Sequence, residues 1–214
     1  MKLKNYQIAI DGPAGSGKST IAKLLAKKLG FLYIDSGAMY RAVTLYLIKN
    51  NLLNKSEKII STHLKKIKIN FKENNKDVSK QIRSSLVNKN VSEVSSKRNI
   101  RKEMVKRQRE IAKNCSVVMD GRDIGTTVFP QAGLKIYLTA SPYVRAVRRK
   151  KDLEKLSEKI SIKELIQQIQ NRDNLDSSRA ISPLSKAQDA IVIDSTNLTI
   201  DSVLNQINQF FPIR

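Results

Sequence analysis

Apolar residues gather into five short runs, residues 6–10, 31–34, 116–119, 134–138 and 190–193. The runs are rich in Val, Ile and Leu and lack clean alternation, as expected of strands covered on both faces. Between the first two, residues 20–29 place Ile21, Leu24, Leu25 and Leu29 at helical spacing, and Gly30 supplies a stop. Residues 200–211 repeat the pattern with Val203, Leu204 and Ile207. Strands alternating with helices predict an α/β fold around a parallel sheet.

Two stretches interrupt this rhythm. In residues 51–113, positions 67–71 alternate like a strand and Glu73-Asn74-Asn75-Lys76-Asp77 form a turn. Positions 78–82 read as a returning strand, and strongly basic helical sequence runs on to Lys113. This is an insertion between the second and third sheet strands. The other stretch, residues 142–179 between the last two strands, is helical and dense in charge. The chain has no internal repeat.

A length of 214 residues suits one domain, or one core domain carrying a sizeable insertion. Hydrophobic residues make up 40% with no run long enough to span a membrane. Behind the basic start Met1-Lys2-Leu3-Lys4, the apolar run Ile8-Ala9-Ile10 is too short for a signal-peptide core. The single cysteine, Cys115, cannot form an internal disulfide, so a reduced, cytoplasmic setting is expected. Against 19 acidic residues stand 40 Lys and Arg, a net charge of +21 that attracts anions. Most of the excess is lysine scattered on solvated faces. Aromatics are only 5%, without tryptophan, so base-stacking platforms are missing and no specific nucleic-acid partner is expected.

Candidate chemistry begins at Gly12-Pro13-Ala14-Gly15-Ser16-Gly17-Lys18-Ser19, which satisfies G-x-x-x-x-G-K-[ST] between a predicted strand and a predicted helix. Glycines let backbone N–H groups curl round a phosphate, and the helix N-terminus adds partial positive charge there. Lys18 would reach the β- and γ-phosphates of ATP, Ser19 would ligate Mg²⁺, and Thr20 would face the α-phosphate. A second cluster, Asp120-Gly121-Arg122-Asp123, ends the third strand, at the edge where open α/β sheets bind ligands. Asp120 suits either the Mg²⁺ hydration shell or an acidic strand-end cap.

A third cluster, residues 35–41, ends the second strand; Gly37 suits a tight turn into a helix and Arg41 follows one turn later. Arg172, Asp176 and Arg179 share one helix face, a spacing that taken alone is better explained by solvated salt bridges. Arg145, Arg148 and Arg149 share another face, either a lid bringing charge to ATP or a merely basic surface. His63 has no ligand-spaced partners and is given no metal role. The guanine-reading Asn-Lys-x-Asp segment of regulatory GTPases does not occur.

Together these motifs closely resemble the bacterial cytidylate kinases, a nucleoside monophosphate kinase family, over almost the whole chain. Beyond the P-loop and residues 35–41, the resemblance is carried by Asp77-Val78-Ser79, Ile82-Arg83, Arg107-Gln108-Arg109, residues 120–126, Val128-Phe129-Pro130, Arg172-Asp173, Asp176, Arg179 and Asp194-Ser195-Thr196. It implies a five-stranded parallel sheet of order 2-3-1-4-5 flanked by helices. The core would comprise residues 1–50, 114–141 and 180–214, with a monophosphate-binding insertion near 51–113 and a short lid near 142–179. It also implies that Arg41, Arg122 and Arg172 bind the acceptor phosphate, with Asp176 and Arg172 beside the ribose. Ser36, Ser92, Arg101, Asp123 and Arg179 would face cytosine; for Ser92 and Arg101 the family pattern is the sole ground. Lys18, Arg122, Arg172, Arg145 and Arg149 would neutralise charge during transfer from ATP to CMP or dCMP. A monomer is expected. The rival readings are a kinase for another small acceptor, such as UMP, AMP, shikimate or dephospho-coenzyme A, and a nucleic-acid-binding protein with a vestigial P-loop.

Overall fold

The computed structural model describes residues 5–65, 67, 72–73, 76–77, 79–154 and 160–211. It contains two compact units, Met1–Ile34 with Ile111–Arg214, and Asp35–Glu110. In the first unit β1 (Gln7–Asp11) leads through the P-loop into α1 (Lys18–Leu29), which Gly30 ends in a left-handed conformation. The remaining strands of its sheet are β2 (Leu32–Asp35), β5 (Val117–Gly121), β6 (Leu134–Thr139) and β7 (Ile191–Asp194). The sheet is parallel, with order β2-β5-β1-β6-β7, which is 2-3-1-4-5 in strand sequence.

The central strands β1 and β5 have no exposed residue, whereas the edge strands β2 and β7 expose Leu32 and Val192. Ile8, Ile10, Val118, Leu134, Ile136 and Leu138 of the sheet pack with Ile21 and Leu25 of α1 and with Val203 and Ile207 of α8 (Ile200–Phe210). Tyr6, Phe31 and Phe211 close this core, the Tyr6 and Phe211 rings meeting edge to face at 5.2 Å. The register puts Asp11 opposite Gly121 and Tyr137, so β1 and β5 end level while β6 runs on to Thr139. Two helices follow β6: α6 (Pro142–Glu154) and α7 (Ile162–Ser177), packed through Ala146, Leu153, Leu165 and Ile169. Ser161 and Glu164 cap α7 reciprocally.

The second unit contains α2 (Ser36–Lys49), α3 (Glu57–Leu64), the antiparallel pair β3 (Lys72–Glu73) and β4 (Lys76–Asp77), α4 (Ser85–Ser96) and most of α5 (Arg98–Ile111). Its core holds Val43, Leu47, Ile60, Ile82, Val87, Val91, Ile100 and Met104. The expected strand over 67–71 lies mostly outside the described residues, as does Val78 of the expected return strand. Ile82 of that strand instead lies in a 3₁₀ turn, Gln81–Arg83, buried against Ala38, Ala42 and Leu45. One buried apolar residue in a short segment serves a turn as well as a strand, and Ser84 caps α4 directly after it.

Leu25 is fully buried in the sheet-facing side of α1. Leu25→Ala is expected to cost about 2–5 kcal/mol, read as a lower urea midpoint at unchanged m-value. Val192→Ala on the exposed edge should stay within about 0.5 kcal/mol of the parent.

Candidate active site

The P-loop leaves β1 at Gly12, whose φ is +147° and whose hypothetical Cβ would lie 2.0 Å from the Leu138 carbonyl oxygen. Only glycine lets the chain pass β6 this closely while turning. Gly15, at φ +76°, lies against the Arg145 backbone, where a Cβ would meet the carbonyl oxygen at 3.0 Å. Gly17 is left-handed at the N-cap of α1, and no side chain caps that terminus. The first-turn amides therefore keep the anion-binding character of an open helix start. Lys18 folds back over the loop, its Nζ donating to Pro13 O at 2.7 Å and Ser16 Oγ at 3.4 Å. Burial, reinforced by Arg122, holds its ammonium well below the usual lysine range, against the pull of Asp120 and Asp11.

Ser19 Oγ donates to Asp120 Oδ2 at 2.7 Å, and Tyr33 Oη donates to Asp120 Oδ1 at 2.9 Å. A hydroxyl and a carboxylate thus meet at the start of α1. Hard oxygen donors of this kind fit Mg²⁺, which takes one or two protein oxygens and fills its shell with water and phosphate. Among the described residues no group of three or more His, Cys, Asp or Glu side chains forms a fuller metal cage. Thr20 is exposed on α1. His63 contacts the Tyr46 hydroxyl through Nδ1 at 3.2 Å.

The 172–179 cluster corrects the reading as solvated salt bridges. Asp176 is 1% exposed, and its carboxylate accepts from Arg122 Nε at 2.9 Å and from Arg179, with Arg172 Nε 4.0 Å away. Burial pushes the Asp176 carboxyl up, but Arg122, Arg179 and Arg172 outweigh it and hold the group below its ordinary range. α7 ends at Ser177, so Arg179 reaches Asp176 from beyond the helix. Spacing alone could not show this, because the partner of Asp176 is Arg122, the residue after β5, 54 residues away along the chain.

α6 is likewise no merely basic surface. Arg145 is buried, donating to Ala140 O at 3.0 Å and Ala14 O at 3.1 Å and pairing with Asp173. Asp173 Oδ1 also accepts from the Ala14 N–H at 3.2 Å. Arg148 donates to Ser16 O, Ser195 Oγ and Ser195 O, at 3.2, 3.0 and 2.8 Å. The helix is braced on the P-loop through these two residues, while Arg149 is half-buried.

In the second unit, Ser36 is buried at the start of α2, where Asp35 Oδ1 accepts from Ala38 N at 2.8 Å. Gly37 has no positive φ and makes no special turn; a Cβ there would lie 3.1 Å from the Arg41 guanidinium and 3.2 Å from Asp35 Oδ1. Its role is close approach, not conformational freedom. Arg41 Nε lies 3.4 Å from Asn88 Oδ1. Arg101 is buried, donates to Ser95 O at 3.1 Å and sits 5.3 Å over the Tyr40 ring. Ser92 is half-buried on α4.

The sequence assigns no individual role to Asp11, Asp173 or Ser195, and leaves that of Arg148 open. Asp11 is buried, and its two oxygens accept from Ile124 N at 2.8 Å and Gly125 N at 2.7 Å. The signal was present: an acid at the carboxyl end of a strand, the same feature that marked Asp120. Arg148 stood on the marked helix face. Asp173 and Ser195 lie in segments that carry the family resemblance, but the partners that hold them, Arg145, Ala14, Arg148 and Ser16, are set by the fold.

A family model described as cytidylate kinase matches residues 8–212. A cytidylate kinase of Fusobacterium nucleatum is 48% identical, the match covering 97% of each chain. One of Alkaliphilus oremlandii is 50% identical over 96% of this chain and 97% of its own. Among solved structures, an uncharacterised protein from Eubacterium ventriosum superposes with a TM-score of 0.55 at 15% identity, covering 98% and 99% of the two chains, a likeness of fold alone. With the P-loop and its braced helices in place over the same span, the chain belongs to the cytidylate kinase family.

Proposed function

We propose that this chain transfers the γ-phosphoryl group of ATP to the 5′-phosphate of CMP and dCMP, as a monomer in the cytoplasm. The observation that carries the reading is the buried Asp176 carboxylate gathering Arg122, Arg179 and Arg172 in the same unit as an open P-loop. Among the described residues no helix is long and apolar enough to cross a membrane.

The depressed Lys18 ammonium reflects burial beside Arg122 and Arg172. Phosphate groups offset such crowded cations, so nucleotide binding is supported by the charge arrangement itself. In this reading residues 12–20, that is Gly12, Pro13, Ala14, Gly15, Ser16, Gly17, Lys18, Ser19 and Thr20, hold ATP. Mg²⁺, held by Ser19 and by Asp120 through water, would neutralise charge on the β- and γ-oxygens. Arg122, Arg172 and Arg41 take the acceptor phosphate, Asp176 the ribose, and Ser36, Ser92, Arg101, Asp123 and Arg179 the cytosine.

The acceptor oxygen is already anionic, so transfer needs no general base; alignment and neutralisation suffice. Asp176 fixes the Arg122 guanidinium through Nε and Gly121 O accepts from one terminal nitrogen at 3.3 Å, which leaves the other terminal nitrogen for phosphate. Lys18 leaves Pro13 O for the transferring group, and Arg145 and Arg149 on α6 add positive charge. Asp123 accepts from the cytosine N4 amino group, and Arg101 donates to N3. Uracil reverses both positions, leaving buried polar atoms unpaired at about 1–3 kcal/mol each.

With ATP-Mg²⁺, CMP and dCMP should be phosphorylated much faster than UMP, AMP or GMP in a coupled ADP-release assay. Equal or faster turnover of UMP or AMP overturns the reading. Lys18→Ala should lower kcat by about a hundredfold or more with the circular dichroism spectrum unchanged. For Asp123→Asn, the CMP-over-UMP ratio of kcat/KM should fall at least about tenfold, roughly 1.4 kcal/mol of transition-state discrimination. If both rates fall together and the ratio stays, Asp123 does not select the base.

A further inference from the structure

Asp11 is the last residue of the central strand and directly precedes Gly12. Its backbone is paired on both sides, opposite Gly121 and Tyr137. Its side chain points to neither strand. One carboxylate oxygen accepts the Ile124 N–H and the other the Gly125 N–H. These amides open the turn Ile124–Val128, immediately after Arg122 and Asp123. The approach is tight: a Cβ on Gly125 would come within 3.4 Å of Asp11 Oδ2 and 3.2 Å of the Lys135 side chain.

A buried carboxylate is a poor choice for stability alone, because its desolvation must be offset by its hydrogen bonds. Here burial pushes the carboxyl up to about 6, against the two amides and Lys18, with Asp123 adding to the rise. The charged and titratable groups facing it are Asp123 on the turn, Lys18 at the start of α1 and Tyr137 on β6. What the ionised form uniquely provides is two acceptors for two consecutive N–H groups. A protonated acid or an asparagine offers one acceptor and sets a donor against the other amide.

We propose that Asp11 is a positioning residue for the acceptor: its doubly accepting carboxylate locks the turn that directly follows Arg122 and Asp123 to the strand that launches the P-loop. The inference rests on the assignment of Arg122 and Asp123 to CMP. Asp11 itself touches no substrate in this scheme, and its side-chain bonds go to the acceptor turn and not to the P-loop. Its loss therefore falls on the acceptor more than on ATP.

Asp11→Asn should raise the KM for CMP at least about tenfold while the KM for ATP changes less than about threefold. Equal change in both constants, or none, overturns the proposal. The pH dependence supplies a readout that a purely structural role would not give. Because the folded-state pKa lies above the unfolded one, Asp11 favours folding below about pH 4 and loses that contribution as pH rises through about 6. The urea midpoint of the parent, taken relative to Asp11→Asn, should thus rise from pH 7 to pH 5. Over the same range kcat/KM for CMP should fall more steeply in the parent than in Asp11→Asn; the titration of CMP itself is common to both. Activity and stability moving in the same direction would overturn the proposal. Should the variant fail to fold, the parent still decides: NMR of the unliganded protein should show the Ile124 and Gly125 amide shifts titrating with the Asp11 carboxyl. Amides indifferent to that titration would refute the lock. An absence of CMP turnover in the parent would instead refute the acceptor assignment, and the amide titration would stand apart from it.

Discussion

Cations confined at one edge of a sheet repel one another, and at an effective dielectric near 20 two of them about 4 Å apart are unfavourable by roughly 4 kcal/mol. This protein gathers Lys18, Arg122 and Arg172 closely enough that the arginines depress the lysine. The arrangement survives because buried carboxylates are interleaved with the cations. Asp176 binds Arg122 and Arg179 with Arg172 nearby, Asp173 binds Arg145, and Asp120 draws on Lys18. Asp176 and Asp173 direct their guanidinium groups as well as neutralising them, and that direction turns a positive field into a site with geometry.

The backbone sets where these charges can stand. A parallel sheet puts the carboxyl ends of its strands at one edge, and its central strands β1 and β5 deliver Asp11 and Asp120 there. The loop between β1 and α1 passes within contact of β6 at Gly12 and of α6 at Gly15, so both neighbours share in holding its curl. Arg145 and Arg148 then tie α6 to loop carbonyls. The loop is thereby fixed from outside as well as by its own glycines, which suits phosphoryl transfer, where alignment carries most of the rate.

The net charge of +21 is distributed unevenly in consequence. Lys18, Arg101 and Arg145 are buried and bonded to backbone carbonyls. On α5, by contrast, Arg98, Lys102, Lys106 and Arg109 lie exposed. The buried cations are held in fixed positions by backbone partners; the exposed ones raise the general attraction for anions, an effect that salt screens within about 10 Å.

Periodicity, glycine spacing and strand-end acids are local features, and so the sheet, α1, α8 and the P-loop were legible along the chain. So were the positions of Lys18 and Ser19, which belong to that loop, and of Asp120, an acid at the end of the third strand. Tertiary structure decided the rest. The same Arg172–Asp176–Arg179 spacing fits a wet salt bridge or a buried anchor, and only the fold, which buries Asp176 and brings Arg122 against it, decides between them. Gly37 looked like a turn residue and is a residue of close approach, because the atoms it must clear belong to side chains rather than to its own backbone. Ile82 looked like strand and is turn, since a short apolar segment takes the conformation that its neighbours leave room for. Asp11 carried an acid's signature at a strand's end, yet its partners are Ile124 and Gly125, more than a hundred residues away. A hydrogen bond across that distance leaves no period or spacing in the chain, because only the folded sheet makes the two ends neighbours.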